Sequence, residues 1–159
     1  MDRMVALKYA PFIGGWLIAG TTGILLLKRG GYTIHRVEGP SMQPTLKTND
    51  FIVVKKIKEP QTSNLAVNSI ISLHHPKQNN SFLIKRLTAN ENEIVDASQM
   101  NSTNHLCKTK VIPRGHCWVQ SDAGPGYLDS TSYLGPISYD KVVGVALYII
   151  WPPRRIQML

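Results

Sequence analysis

Cysteine and acidic residues are both scarce in this sequence. Two cysteines, Cys107 and Cys117, stand in 159 residues, too few for a disulfide scaffold. Two separated thiols read first as small buried hydrophobes. A bridge between them needs an oxidising compartment, so the pair fixes no location. Ten Asp and Glu face 18 Lys and Arg, leaving a net charge of +8. Such a balance suits nucleic acid or an anionic membrane surface. There is no compact Lys/Arg cluster on a helical stripe, no zinc-ligand spacing and no aromatic-basic RNA motif; nucleic acid is set aside as a partner. Internal repeats and low-complexity stretches are missing too. What is present is ordinary for a folded chain: 43% hydrophobic and 18% charged residues argue against disorder, and the length suits one domain with a substantial core.

The longest uncharged stretch is "YAPFIGGWLIAGTTGILLL", residues 9–27, with no charge for 19 positions. A helix of about 20 apolar residues crosses a bilayer, and glycine is tolerated better there than in soluble helices. A cleaved signal peptide is the competing reading, with "MDRMVALK" as its charged start. The run is long, however, and ends in Lys28-Arg29 without a small-x-small cleavage pattern. The expectation is a membrane anchor over 1–29 and a β-rich domain over 30–159. Basic residues flank both ends of the run, so charge sets no orientation. A second apolar run, "VVGVALYIIW" at 142–151, spans ten residues before Pro152 and Pro153. It is too short for a crossing helix and predicts a buried β-strand.

After a linker, "KRGGYTIHRVE", strands dominate the pattern. "DFIVVKKI" (50–57), "NSIISL" (68–73), "SFLIKRL" (81–87), "NEIVDA" (92–97), "TKVIP" (109–113) and "HCWVQ" (116–120) are short and rich in β-branched residues. Turn clusters such as "HHPKQNN" and "DAGPGY" separate them. Such punctuation points to a mainly β domain of barrel or sandwich type.

Within "EGPSMQPTL" (38–46), Pro40 and Pro44 bar a helix and predict a stiff, extended segment that fixes the Ser41 hydroxyl. A serine needs a neighbouring base. The histidines, His35, His74, His75, His105 and His116, sit in the linker, a polar turn and around Cys107–Cys117; none shows a Ser-His-Asp or metal-ligand pattern. Lysine can serve instead, provided that burial lowers its pKa and leaves part of it neutral. Lys85 in "SFLIKRL" fits: strand alternation puts Leu83, Lys85 and Leu87 on one face. Arg86, the next residue, is expected to disfavour a second positive charge.

Taken together, these residues resemble the type I signal peptidase family of membrane-anchored serine–lysine proteases. The resemblance rests on "GPSMQPTL" (39–46), "IKRL" (84–87), "IPRGHCWVQSD" (112–122), "LDS…LGPIS" (128–138) and "WPP" (151–153), in that order behind an apolar N-terminal run. It implies a signal-peptidase-like β domain preceded by one transmembrane helix. It implies Ser41 as nucleophile and Lys85 as general base, with the Ser41 amide as first oxyanion donor and Met42 and Gly39 beside the substrate. It implies no metal or cofactor. Its implied substrates are precursor polypeptides carrying sorting peptides, cut after a short residue. It further implies placement in the mitochondrial inner membrane, single-pass and in contact with lipid. The catalytic domain would face the intermembrane space, with the other catalytic subunit of the same peptidase as partner.

Three positions depart from the family's pattern. Gly39 stands where many members carry an oxyanion-hole hydroxyl. Ser121 replaces the usual glycine before Asp122, and Tyr127 replaces a serine that helps orient the lysine. Asp122 and Asp129 read as structural groups. The alternatives are a non-catalytic subunit that keeps the fold and stabilises a partner, a soluble DNA-bound autoprotease of LexA type, and a bacterial-type signal peptidase. Asn79-Asn80-Ser81 and Asn101-Ser102-Thr103 are glycosylation sequons, which would be decorated in an ER lumen but not in mitochondria.

Overall fold

A computed structural model describes residues 29–59, 65–75, 81–96 and 109–159. The apolar run 9–27, Cys107, His105 and the two sequon asparagines lie outside the described residues. The chain divides into two compact units, Met1–Thr33 and Ile34–Leu159. Among the described residues no helix is long and apolar enough to cross a membrane.

The second unit is mainly β. The strands among the described residues are β1 (Tyr32–Arg36), β2 (Phe51–Lys56), β3 (Ile70–His74), β4 (Phe82–Ala89), β5 (Ile94–Asp96), β6 (Thr109–Val111), β7 (His116–Gln120), β8 (Ile137–Ser138), β9 (Val142–Trp151) and β10 (Gln157–Met158). One sheet runs in the order β1-β2-β9-β3-β4-β7-β8, with β10 added to β9, while β5 and β6 form a separate pair. The ladders with resolved register are antiparallel. This is the mainly β architecture that the short β-branched runs predict, and each quoted run contains a strand.

Strand alternation distributes the core. Ile70 joins Val37, Met42, Leu46, Ile52, Val54, Ala146 and Ile149 in one cluster. Its neighbour Ile71 joins Leu73, Leu87, Cys117, Val119 and Val142 in another, because consecutive side chains on a strand point to opposite faces. Lys85 is directly opposite Ile71 in the β3–β4 ladder. Cys117 is a buried free thiol, and burial pushes it up to about 12; it is packing, not chemistry.

Three expectations change. The linker "KRGGYTIHRVE" contains β1, whose Tyr, Thr and Ile suit a pleated surface better than a tether. The segment around Ser41 is coiled into turns, not extended: Gln43 N donates to Pro40 O at 3.0 Å and Leu46 N to Met42 O at 2.8 Å. Proline prevents a continuing helix but is at home in single turns. β9 is not buried throughout. Val53 pairs with Tyr148 and Val54 with Ala146, so Leu147 is an extra residue; Ile150 is another, between the partners of Ile52 and Phe51. Each bulge shifts the alternation by one, and Tyr148, Ile150 and Trp151 end on the exposed side.

Candidate active site

The turn carrying Ser41 is fastened on both sides. Met42 and Leu46 are buried in the core, and Ala123 N donates to Ser41 O at 3.1 Å. Thr45 Oγ1 donates to Asp122 Oδ2 at 2.6 Å, while Arg155 Nη2 donates to Thr45 O at 3.0 Å. Arg155 also pairs with buried Asp50 at 2.9 Å, and Asp50 accepts from Lys47 N at 2.8 Å. The backbone on which Ser41 sits is therefore held from β7, from the C-terminal turn and from the core. Gly39 makes the approach, with φ +76°, a region that favours glycine.

Lys85 comes from the middle of β4, with 2% of its surface exposed. Its Nζ donates to Ser121 Oγ at 3.0 Å, and among the described residues it makes no such bond to Ser41. Burial lowers its pKa to about 8; the carboxylates of Asp129 and then Asp122 work in the opposite direction. Arg86 is not the cause. Its guanidinium grips Asp122 in a two-pronged pair, Nε to Oδ1 at 2.8 Å and Nη2 to Oδ2 at 2.6 Å, so its charge is neutralised locally. Burial raises the Asp122 carboxyl, but the hydrogen bonds from Arg86 and Thr45 outweigh it and hold the group below its ordinary value. Asp122 thus joins the turn of Ser41 to the strand of Lys85.

Ser41 and Lys85 line one groove of about 330 Å³, together with Val37, Met42, Leu83 and Ile84. Further along both strands the lining becomes polar and aromatic. His35 lies 4.5 Å from the Phe82 ring, and its Nδ1 is 3.0 Å from Ser72 Oγ. Burial lowers the His35 pKa, with Lys56 and His74 adding to the effect. The groove is bordered by strand edges. β7 pairs with β4 only over Arg86–Ala89, so beside Phe82–Lys85 that edge has no strand among the described residues; β1 is the last strand of the sheet. Unpaired edges invite an extended peptide. A buried, partly neutral amine, a serine hydroxyl and a strand-sized groove can together support acyl transfer from a peptide bond.

The family model described as signal peptidase, peptidase S26, matches residues 15–101 of this chain. The chain belongs to the signal peptidase S26 family. Its relatives include "Mitochondrial inner membrane protease subunit 2" of Mus musculus, 33% identical over 156 residues, with 95% of this chain and 85% of the relative covered. The protein of that name in Homo sapiens is 34% identical, covering 93% and 83%; in Saccharomyces cerevisiae it is 31% identical, covering 91% and 83%.

In this S26 peptidase the structure gathers Ser41, Met42 and Lys85 at one groove, with Gly39 just outside its lining. The lysine's partner was not foreseen. Ser121 read only as a departure from the glycine of the family pattern, yet its hydroxyl is the group that Nζ meets. The available signal was a pair of changes in one loop: a hydroxyl gained at 121 and a serine lost at 127. Asp129 is a scaffold group. It accepts from Ser121 N at 3.1 Å, Thr131 N at 3.0 Å and Thr131 Oγ1 at 2.6 Å.

Proposed function

We propose that this chain is a membrane-anchored serine endopeptidase using a Ser41–Lys85 dyad. The observation that carries the reading is the buried Lys85 amine, depressed to about 8, lining the same groove as Ser41. About one such lysine in ten is neutral at pH 7, against fewer than about one in a thousand at the reference value. Neutral Lys85 takes the Ser41 proton as Oγ attacks the scissile carbonyl carbon. The Ser41 amide donates to the oxyanion, and Lys85 returns the proton to the leaving amine. The resulting ester is cleaved by water that gives its proton to Lys85 and then to Ser41 Oγ.

Residues 1–29, with the uncharged run 9–27, serve as a single-pass anchor for the domain over 30–159. The names of the relatives support placement in the mitochondrial inner membrane; in this reading the domain faces the intermembrane space. They also support association with another subunit of the same peptidase. The substrates are precursors whose sorting peptide enters the groove extended and is cut after a short residue.

Ser41→Ala and Lys85→Ala should each abolish precursor processing in membranes while leaving the melting temperature within a few degrees of wild type. Processing that survives both changes rejects the dyad, and would make the chain the non-catalytic stabilising subunit. Extraction by high salt without detergent rejects the anchor, and an N-glycan at Asn79 or Asn101 rejects the mitochondrial placement.

A further inference from the structure

A neutral lysine works as a base only when its lone pair faces the hydroxyl to be deprotonated. Rotation about the Cε–Nζ bond otherwise spreads that lone pair over several orientations, and misorientation of a reacting group is expensive in rate. We propose that Ser121 is the positioning residue for Lys85: its Oγ, 3.0 Å from Nζ, holds one N–H and leaves the lone pair turned toward Ser41. The inference rests on the Ser41–Lys85 reading and adds to it the group that aims the base.

Ser121 is built to hold still. It is 9% exposed and follows directly on β7, whose Arg86–Gln120 pairing fixes the strand end to β4. Its own amide is bonded to Asp129 Oδ2, and Asp129 is in turn gripped by Thr131. Two residues earlier, Val119 N donates to buried Ser130 Oγ at 3.0 Å. The segment from 119 to 131 thus braces the hydroxyl that Lys85 meets among the described residues. The next residue, Asp122, is committed to Arg86 and Thr45, so the two ends of the Ser121-Asp122 pair hold the base and the nucleophile turn respectively.

The bond also has an electrostatic signature. An oxygen accepting from Nζ favours the ammonium over the amine, because a charged donor makes the stronger bond. Removing it should therefore move the Lys85 titration further down, while the rate at the plateau falls because the lone pair is no longer aimed. A residue that merely supported the fold would lower stability without moving that titration.

The test uses the full-length chain in the membranes that express it, reading kcat, KM and the kcat–pH profile on a precursor. Ser121→Ala should lower plateau kcat by about 10- to 100-fold, part of the roughly 10²–10⁴ that general-base catalysis supplies. KM should stay within about twofold and the profile midpoint should shift downward. Ser121→Thr, which keeps the hydroxyl, should restore most of the rate. Ser121→Cys, a near-isostere with a weak acceptor, should behave like alanine and guards against a simple folding failure. Wild-type kcat and midpoint in Ser121→Ala or Ser121→Cys overturn the proposal. Ser41→Ala and Lys85→Ala run alongside: if they abolish processing while Ser121 variants do not, only the positioning role fails. If they too leave processing intact, the dyad itself is rejected, and Ser121 with it.

Discussion

Burial holds the Lys85 ammonium at about 8, below the 10.5 of an ordinary lysine, and this has two consequences of opposite sign. Under the proposed dyad, catalysis gains a base. Below the midpoint the neutral fraction rises tenfold per pH unit, so kcat should climb through neutral pH and level off above about 8. A flat profile between pH 6 and 9 would reject Lys85 as the base. Stability loses. Between about 8 and 10.5 the unfolded chain binds more protons than the folded one, so stability rises with pH across that window and the full penalty is felt below it. The difference corresponds to about 3 kcal/mol as an upper figure. Lys85→Met should therefore melt higher than wild type at pH 7, with the gap closing as the pH approaches 10.5. Equal melting temperatures at pH 7 would mean that the charge is not penalised. Lys85 was legible because two leucines flank it on one strand face. Ser121 was not, because the hydrogen bond joins groups 36 positions apart and no local pattern announces such a pairing.

Elements were easier to read where composition and period agreed. β2, β3 and β4 carry β-branched and aliphatic runs; β2 and β3 are buried at consecutive positions, while β4 alternates, with Lys85, Leu87 and Ala89 buried. The composition of β9 predicts a strand, which forms, and burial throughout, which its C-terminal half does not show. Its two bulges against β2 arise from pairing, which a single strand's sequence does not display. β9 also explains a glycine. A Cβ at Gly144 would lie 2.2 Å from Lys55 O and 2.8 Å from Lys55 C, inside the backbone of β2 where nothing flexible can yield. Gly144→Ala should force the two strands apart at the ladder that joins β2, β9 and β3. The expected loss is about 1–3 kcal/mol or more, measurable as a lower urea midpoint. An unchanged midpoint would show that β2 shifts freely at Lys55. Processing should fall less than stability, since Gly144 lines neither the groove nor the Ser41 turn.

The order of motifs along the chain carried the family, and the S26 match and the mitochondrial protease relatives agree with it. What order could not carry is how distant segments brace the site. The C-terminal turn shows the point. Arg155 reaches back across 105 positions to Asp50 and with the same guanidinium holds Thr45 O, four residues after Ser41. Nothing in "WPPRR" suggests that its second arginine fixes the turn of Ser41. Asp50 is 2% exposed, so removing its partner strands a carboxylate in the core, a change that commonly costs about 3–5 kcal/mol. Arg155→Ala should thus destabilise strongly and also loosen Thr45. Arg155→Lys keeps the charge but not the fork that serves both Asp50 and Thr45. It should recover part of the stability while kcat stays depressed. Arg154→Ala, the adjacent exposed arginine, should change neither. If Arg155→Lys matches wild type in kcat, the C-terminal turn supports the fold alone and plays no part in holding Ser41.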